Sequence, residues 1–271
     1  MQPFTVASGK AQVWVETEGG GEPVVFLHAG IADRRMWQEQ VTALAPHFRA
    51  VAYDRRGFGR TVHADEPYAH VSDLLAVLDE VAPSRPAILV GCSQGGRVSI
   101  DAALAVPNRV RALVLVAPAI TGAPEPTHFP PAVQTVVDAM DAADAAGDLD
   151  RLNEAEAHAW LDGPAQPRGR VGGAPRALFL EMNRAALRAK QRGEERAPRP
   201  AYDRVARIGV PALVVWGNLD FPHVLANCTY LGRTLQRART LEMKGVAHLP
   251  NLEQPERFNA AVLDFCCALP A

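Results

Sequence analysis

The sequence is poor in cysteine, in aromatic residues and in net charge. Its 271 residues include four cysteines, 6% aromatic residues and a net charge of −2. Two of the cysteines, Cys266 and Cys267, are adjacent, and the four do not have the pattern of a disulfide framework. No spacing of cysteine and histidine is typical of a metal site. The weak net charge gives no electrostatic reason to expect a nucleic-acid partner.

Long hydrophobic runs are also missing. No segment approaches the roughly 20 apolar residues of a membrane span, and the first residues lack the apolar core of a signal peptide. We therefore expect a cytoplasmic protein with no membrane partner, and composition leaves its oligomeric state open. With 48% hydrophobic residues, a chain of this length can bury one large core.

A short glycine-rich segment, Gly91–Gly95, lies between the apolar run Ala87–Val90 and a helix-like run over residues 96–104. A serine in a sharp strand-to-helix turn projects its hydroxyl away from the sheet, and the flanking glycines keep the turn uncrowded. The following helix N-terminus favours negative charge there. About one chain in ten of this length matches this pattern by chance. Ser93 is therefore a candidate nucleophile that needs partners elsewhere in the sequence.

An acid and a base follow Ser93 in the expected order. Asp220 comes after a strand-like run over residues 212–216, and His248 comes after the strand-like run Thr240–Met243. Residues 117–122, which follow another strand, contain no carboxylate. A loop histidine and a helix-capping aspartate are each ordinary features. Three such residues in the order serine, acid, histidine, each at a strand end, favour a catalytic triad.

Two backbone N–H groups are candidates for an oxyanion hole. One belongs to Gln94, the residue after the candidate nucleophile, and the other to the loop that follows the apolar run at residues 24–27. We expect Gly30 to supply the loop donor, with Ile31 as the alternative, and such donors each contribute roughly 3–4 kcal/mol. His28 precedes Ser93 in the chain, and we expect it to bind loop backbone instead of acting as the base.

These segments together resemble the α/β-hydrolase fold family, in its cap-bearing esterase, lactonase and C–C hydrolase branch. The general appearance is similar to enol-lactone hydrolases and other small carboxylic-ester hydrolases. The family commonly starts its oxyanion loop with His-Gly, whereas residue 29 is alanine here. The resemblance implies a structural role for residues 54–61. The matching segments, in chain order, are His28–Gly30, Asp54–Thr61, Gly91–Gly96, Gly217–Asp220 and Gly245–His248.

Repeated strand and helix patterns predict a mostly parallel central sheet flanked by helices. The strand signal disappears between residues 121 and 207, where the pattern predicts helices near residues 133–146, 149–160 and 175–191. We therefore predict an α/β-hydrolase core from residues 1–120 and 208–271, with a helical cap from residues 121–207. Acidic and arginine-rich stretches in the cap are typical of solvated, paired helix faces.

Apolar residues of the cap and of the core loops are candidates for the substrate pocket. At helical spacing such residues more often pack their own domain. Because aromatic residues are few, we expect a small or medium apolar acyl or lactone substrate. The candidates are Ile31, Trp37, Phe129, Trp160, Phe179, Phe221 and Leu249.

The sequence therefore predicts hydrolysis of a carboxylic ester or lactone through an acyl-enzyme, without cofactor or metal. Serine at the elbow argues against epoxide hydrolase and haloalkane dehalogenase chemistry, which the resemblance links to a carboxylate nucleophile. Two alternatives stay open, because fold does not fix function. One is a C–C bond hydrolase, perhydrolase or biosynthetic cyclase with the same triad. The other is a ligand-binding protein with slow or no turnover.

Overall fold

The computed structural model describes residues 1–189, 193–196 and 198–270, and its strands in this range form one sheet. The spatial order of the strands is β1-β2-β4-β3-β5-β6-β7-β8. The pairs β1–β2 and β2–β4 are antiparallel, and all the others are parallel. The strands are β1 Gln2–Ser8, β2 Ala11–Glu18, β3 Pro23–Leu27, β4 Arg49–Tyr53, β5 Ala87–Cys92, β6 Val110–Val116, β7 Ala212–Gly217 and β8 Ala238–Met243.

Helices connect the parallel strands and fill the long interval between β6 and β7. A π-helix, Ala157–Asp162, directly follows α5. Short 3-10 helices occupy Arg34–Trp37, Pro107–Arg109 and Tyr202–Arg207. The α-helices are α1 Gln38–Leu44, α2 His70–Val81, α3 Gln94–Ala105, α4 Pro131–Ala145, α5 Leu149–Glu156, α6 Gly173–Leu187, α7 Pro222–Thr234, α8 Pro250–Glu253 and α9 Pro255–Cys267.

The hydrophobic core lies on both faces of the sheet. Strand β3 is buried along its whole length, and its side chains alternate between the two faces. Val25 and Leu27 pack in one core, and Val24 and Phe26 pack in the other. Strands covered on both faces need continuous apolar sequence, which explains the runs seen in the chain.

The predicted mostly parallel sheet with flanking helices is confirmed. The sequence pattern missed β1, an edge strand in which exposed residues alternate with the half-buried Phe4 and Ser8 and the buried Val6. It also extended one cap helix through Trp160, whereas the structure changes to the wider π-helical turn at Ala157. The helix expected over residues 175–191 runs over Gly173–Leu187, and residues 190–192 lie outside the described part of the chain.

The predicted charge pairing between cap helices is present. Asp150 of α5 pairs with Arg184 at 3.3 Å and with Arg188 at 3.4 Å. Helices α4, α5 and α6 all fall within the interval where a helical cap was predicted. Among the helices of the described residues, none is both long enough and apolar enough to cross a membrane.

Candidate active site

Ser93 lies in the turn between β5 and α3 in a strained backbone conformation. Its φ of 52° and ψ of −114° are rare for a residue with a side chain. Such a conformation costs of order 1–3 kcal/mol and persists only where the surroundings impose it. The Ser93 N–H donates to Val116 O at 2.9 Å, and its carbonyl accepts from the N–H groups of Arg97 at 3.0 Å and Ala119 at 3.1 Å. Backbone bonds from two neighbouring segments thus hold the turn.

The glycines of this turn are required by space. A Cβ atom at Gly95 would lie 2.2 Å from Leu27 O, and one at Gly91 would lie 2.5 Å from Gly95 O. Neither backbone oxygen can move without displacing a strand or a helix. The steric reason inferred from the sequence is therefore present at both positions.

His248 and Asp220 form a short, buried hydrogen bond. The distance from His248 Nδ1 to Asp220 Oδ2 is 2.6 Å, and both side chains are almost fully buried. Asp220 Oδ1 accepts a second hydrogen bond from the N–H of Phe221 at 2.7 Å. When Nδ1–H donates to the carboxylate, Nε2 is left as the proton acceptor. Ser93 and His248 line the same cavity, so the structure brings the three predicted residues together.

The oxyanion donors predicted from the sequence lie on adjoining segments. Gln94 is the first residue of α3, where a backbone N–H has no acceptor within the helix. A Cβ atom at Gly30 would lie 3.3 Å from Gln94 Oε1, so the loop approaches this helix start closely. Within the described part of the chain, neither Gly30 nor Ile31 donates its N–H to a protein acceptor. Both loop donors therefore stay predictions.

Arg55 connects the two sides of this candidate oxyanion hole. Its guanidinium donates to Gln94 Oε1 at 2.8 Å and to Ala29 O at 3.2 Å, and it lies 4.8 Å from the centre of the Phe58 ring. The residue is buried. Sequence reasoning missed this role because it assigned no chemistry to residues 54–61. No pattern in the sequence indicates that the head group of this arginine is enclosed.

His28 has the backbone-binding role expected from the sequence. Its Nδ1 lies 2.7 Å from Ala29 O, and its Nε2 accepts from the N–H of Arg55 at 3.0 Å. The ring packs edge-on against Phe58 at 4.8 Å between centroids. Both ring nitrogens are thereby engaged, which fixes the tautomer and leaves His28 structural.

The rest of the segment 54–61 stabilises the turn through buried ionic bonds. Asp54 accepts from the side chain of Arg34 at 2.8 Å and from the backbone N–H of Arg60 at 2.8 Å. Burial raises the pKa of Asp54 to about 6. Arg56 pairs with Asp73 at 3.0 Å. This network is consistent with the structural role that the resemblance implied.

The cavity beside Ser93 is small, and its lining is partly apolar and partly polar. Its volume is about 210 Å³. Besides Ser93 and His248, three polar side chains lie in the lining, those of Glu125, His223 and Asn227. Burial lowers the pKa of His223, which favours a neutral imidazole there. The cavity is lined by Ser93, Ala117, Pro118, Ala119, Ile120, Ala123, Pro124, Glu125, Pro126, Trp160, His223, Val224, Asn227 and His248.

Among the residues predicted to contact substrate, Trp160 lines this cavity. Its ring lies 4.6 Å from the rings of both His248 and Phe221. Phe221 forms a layer behind it together with Phe129, at 5.9 Å between ring centroids. Ile31 is half-buried and packs against the core.

Three other predicted pocket residues do not line this cavity in the structure and lie in the core. Trp37, Phe179 and Leu249 are fully buried and belong to a hydrophobic core. Trp37 packs against Phe26 at 5.4 Å and against Phe258 at 6.0 Å. Large apolar side chains stabilise a protein most where they are removed from water, and core packing takes these three away from the cavity wall.

Comparison with known proteins agrees with this architecture. A model of the alpha/beta hydrolase family matches residues 24–261. A pimeloyl-[acyl-carrier protein] methyl ester esterase from Neisseria meningitidis is 30% identical over 256 residues, covering 89% of this chain and 92% of that protein. The protein of the same name from Pectobacterium carotovorum is 37% identical over 108 residues, which is 40% of this chain. The match spans only 41% of the length of that relative.

The solved structure of an enol-lactonase from Burkholderia xenovorans superposes with a TM-score of 0.73 at 24% identity. The superposition covers 97% of this chain and 100% of the enol-lactonase. Likeness at this level of identity establishes the fold. Since the family model extends over most of the sequence, from β3 into α9, the chain belongs to the alpha/beta hydrolase family.

Proposed function

We propose that this protein is a serine hydrolase that cleaves a small or medium carboxylic ester or lactone through an acyl-enzyme on Ser93. The observation that carries this proposal is the 2.6 Å bond between His248 and Asp220 beside a strained Ser93 in one cavity. A nucleophile next to a base that a third group orients is the arrangement expected for covalent catalysis.

In the proposed reaction, His248 Nε2 takes the hydroxyl proton as Ser93 attacks the ester carbonyl. The N–H groups of Gln94 and Gly30 bind the oxyanion of the tetrahedral intermediate. His248 then protonates the leaving alcohol, and the acyl group stays on Ser93. In the second half, His248 takes a proton from water as the water attacks the acyl carbonyl, and it then returns that proton to Ser93 Oγ as the acid leaves. Asp220 stabilises the protonated imidazole in both halves.

The cavity supports a substrate of limited size. A volume of about 210 Å³ suits a short acyl chain or a small lactone ring, and Trp160 and Val224 offer apolar contacts. Relatives named as a methyl ester esterase and as an enol-lactonase add support for this substrate range. The polar groups of Glu125 and Asn227 in the same cavity can bind a hydroxyl or amide of the substrate.

Burst kinetics with p-nitrophenyl acetate test the proposal. We expect a burst of p-nitrophenol equal to one per active site, followed by slower turnover, and loss of the burst in Ser93→Ala. A panel of short acyl esters, lactones and vinylogous diketones should show the highest kcat/KM for esters or lactones. Higher kcat/KM for diketones would favour a C–C hydrolase. A wild-type protein that binds such esters but gives neither a burst nor steady turnover would be a ligand-binding protein.

A further inference from the structure

The loop that carries His248 is hydrogen-bonded to the neighbouring loop that carries Asp220. The N–H of Gly245 donates to Asn218 Oδ1 at 2.7 Å. The carbonyl of Val246 accepts from the N–H of Leu219 at 2.9 Å. These bonds connect the histidine loop to the segment that ends in Asp220, and they set the spacing of the two loops.

The same loop is also bound by the helical insert between β6 and β7 and by α8. The N–H of His248 donates to the carbonyl of Trp160 at 3.2 Å. The N–H of Ala247 donates to Glu253 Oε1 at 2.7 Å. The backbone groups next to the imidazole are therefore satisfied from outside the histidine loop, and one of these bonds comes from the insert.

One arginine of the insert joins all these parts. Arg170 donates from Nη1 to the carbonyl of Gly245 at 3.0 Å and from Nη2 to Glu253 Oε2 at 2.5 Å. The same guanidinium donates from Nη2 to Leu161 O at 2.9 Å and from Nε to Asp162 O at 2.5 Å. A planar fork of five donors suits such convergent acceptors. Arg170 thus links the end of the π-helix to the histidine loop.

Asp162 anchors the segment that carries Arg170. Its carboxylate accepts from the N–H groups of Gly169 at 2.8 Å and Val171 at 2.9 Å, and it pairs with Arg176 at 2.9 Å. Asp162 is fully buried. These bonds hold the backbone on both sides of Arg170. Arg170 is therefore presented in a defined position.

We propose that Arg170 is a positioning residue. Together with Glu253, it holds the His248 loop in the position from which the imidazole can act on Ser93. The proposal rests on the proposed serine hydrolase function. It makes the insert part of the support for the general base, in addition to any role in substrate choice. A displacement of about 1 Å in a catalytic group can cost on the order of 10²-fold in rate. Loosening this loop should therefore slow catalysis for every substrate alike.

Arg170→Met tests the proposal. Active Ser93 is counted with a fluorophosphonate, and kcat and KM are then measured per active site for p-nitrophenyl esters of several acyl lengths. We expect kcat to fall about 10- to 100-fold by a similar factor for all esters, with KM within about twofold of wild type. Arg170→Lys should recover part of kcat, since one ammonium can satisfy some of the acceptors. A thermal unfolding curve of each variant checks that the assay temperature lies below its unfolding transition.

The matched control is Arg168→Met. Arg168 lies on the same segment, is 60% exposed and pairs with Glu154 at 3.2 Å, so kcat should stay near wild type. Glu253→Gln is a milder second variant, because its amide oxygen can still accept from the N–H of Ala247. It should lower kcat by a similar factor for all esters, and by less than Arg170→Met does. Unchanged kcat per active site in folded Arg170→Met and Glu253→Gln would overturn the positioning role alone. A wild-type protein with neither an acyl burst nor steady ester turnover would overturn the proposed function and this inference together.

Discussion

Two turns of this molecule hold the proposed catalytic groups, and the residues that support each turn differ in how far apart they lie in the sequence. The turn at Ser93 is held by bonds to Val116, Arg97 and Ala119, and glycines on either side give it the necessary space. The loop of His248 depends on Glu253 and on Arg170, which is 83 positions away from Glu253. The first turn carries a local sequence pattern. The second is stabilised by contacts between distant segments, which only the folded chain brings together.

The largest effect should come from the turn at Ser93. In Ser93→Ala, kcat for p-nitrophenyl acetate should fall by a factor on the order of 10⁶, because no covalent intermediate can form. The fold should stay intact, as alanine fits where serine does. Ser99→Ala is the control: this buried serine of α3 donates to Gly95 O at 2.9 Å, and activity should persist without it. Near-parental kcat in pure Ser93→Ala would exclude Ser93 as the nucleophile.

The next largest effect should come from the acid. Asp220→Asn should lower kcat by a factor on the order of 10⁴ while the protein folds normally, because an amide favours the wrong imidazole tautomer. Glu125→Gln is the comparison, since Glu125 also lines the cavity but makes no bond to His248 within the described residues. Activity should survive in Glu125→Gln. The reverse result would move the acid role to Glu125.

The ring of Trp160 and its backbone carbonyl have different expected roles, the first in substrate selection and the second in support of the base. Its ring lines the cavity, whereas its backbone carbonyl binds the N–H of His248 and remains in Trp160→Ala. We expect kcat/KM to change unequally across acyl lengths, by about 10- to 100-fold for the most affected ester, with the acyl-enzyme still formed. For Trp160→Phe, we expect kcat/KM values between those of the wild type and those of Trp160→Ala.

A uniform loss across all substrates, with a parallel drop in thermal stability, would show that Trp160 only packs the insert. The unequal pattern expected for Trp160→Ala and the uniform pattern expected for Arg170→Met thus distinguish the two contributions of the same insert.

Sequence patterns anticipated what depends on local chemistry. The burial of β3, β5 and β6 on both faces requires continuous apolar runs, and the order of Ser93, Asp220 and His248 at strand ends follows from the parallel sheet. Pattern could not distinguish an apolar residue of the wall from one of the core. Both Trp37 and Trp160 are therefore pocket candidates by sequence, although Trp37 is fully buried and Trp160 borders the cavity.

The roles of Arg55 and Arg170 could not be predicted from the sequence for a related reason. Each binds several acceptors that come from different segments, and no spacing in the sequence relates either arginine to its acceptors. An arginine in a loop most often has a solvated head group, and the sequence offers no sign that the head group is enclosed. Buried polar networks are thus the part of this site that required the folded structure.

The smallest effect should appear in the pH dependence of stability. Burial raises the pKa of Glu253 from an ordinary value of 4.5 to about 7. Between these values the folded state binds more protons than the unfolded state, so the contribution of Glu253 to stability is lost as the pH rises from 4.5 through 7. From pH 6 to pH 7.5 the unfolding free energy should fall by about 1 kcal/mol through this group.

Glu253→Gln imitates the protonated side chain and should remove this part of the pH dependence. Urea unfolding of both proteins at pH 6 and pH 7.5 measures the decrease in unfolding free energy between the two pH values. We expect this decrease to be smaller in the variant by about 1 kcal/mol. Asp54 and Asp101, whose pKa values burial raises to about 6, titrate in both proteins and cancel in the difference. Equal falls would mean that Glu253 stays ionised throughout, held by Arg170. A buried carboxylate that lowers stability at neutral pH yet supports the base would show that this loop is built for function at a cost in stability.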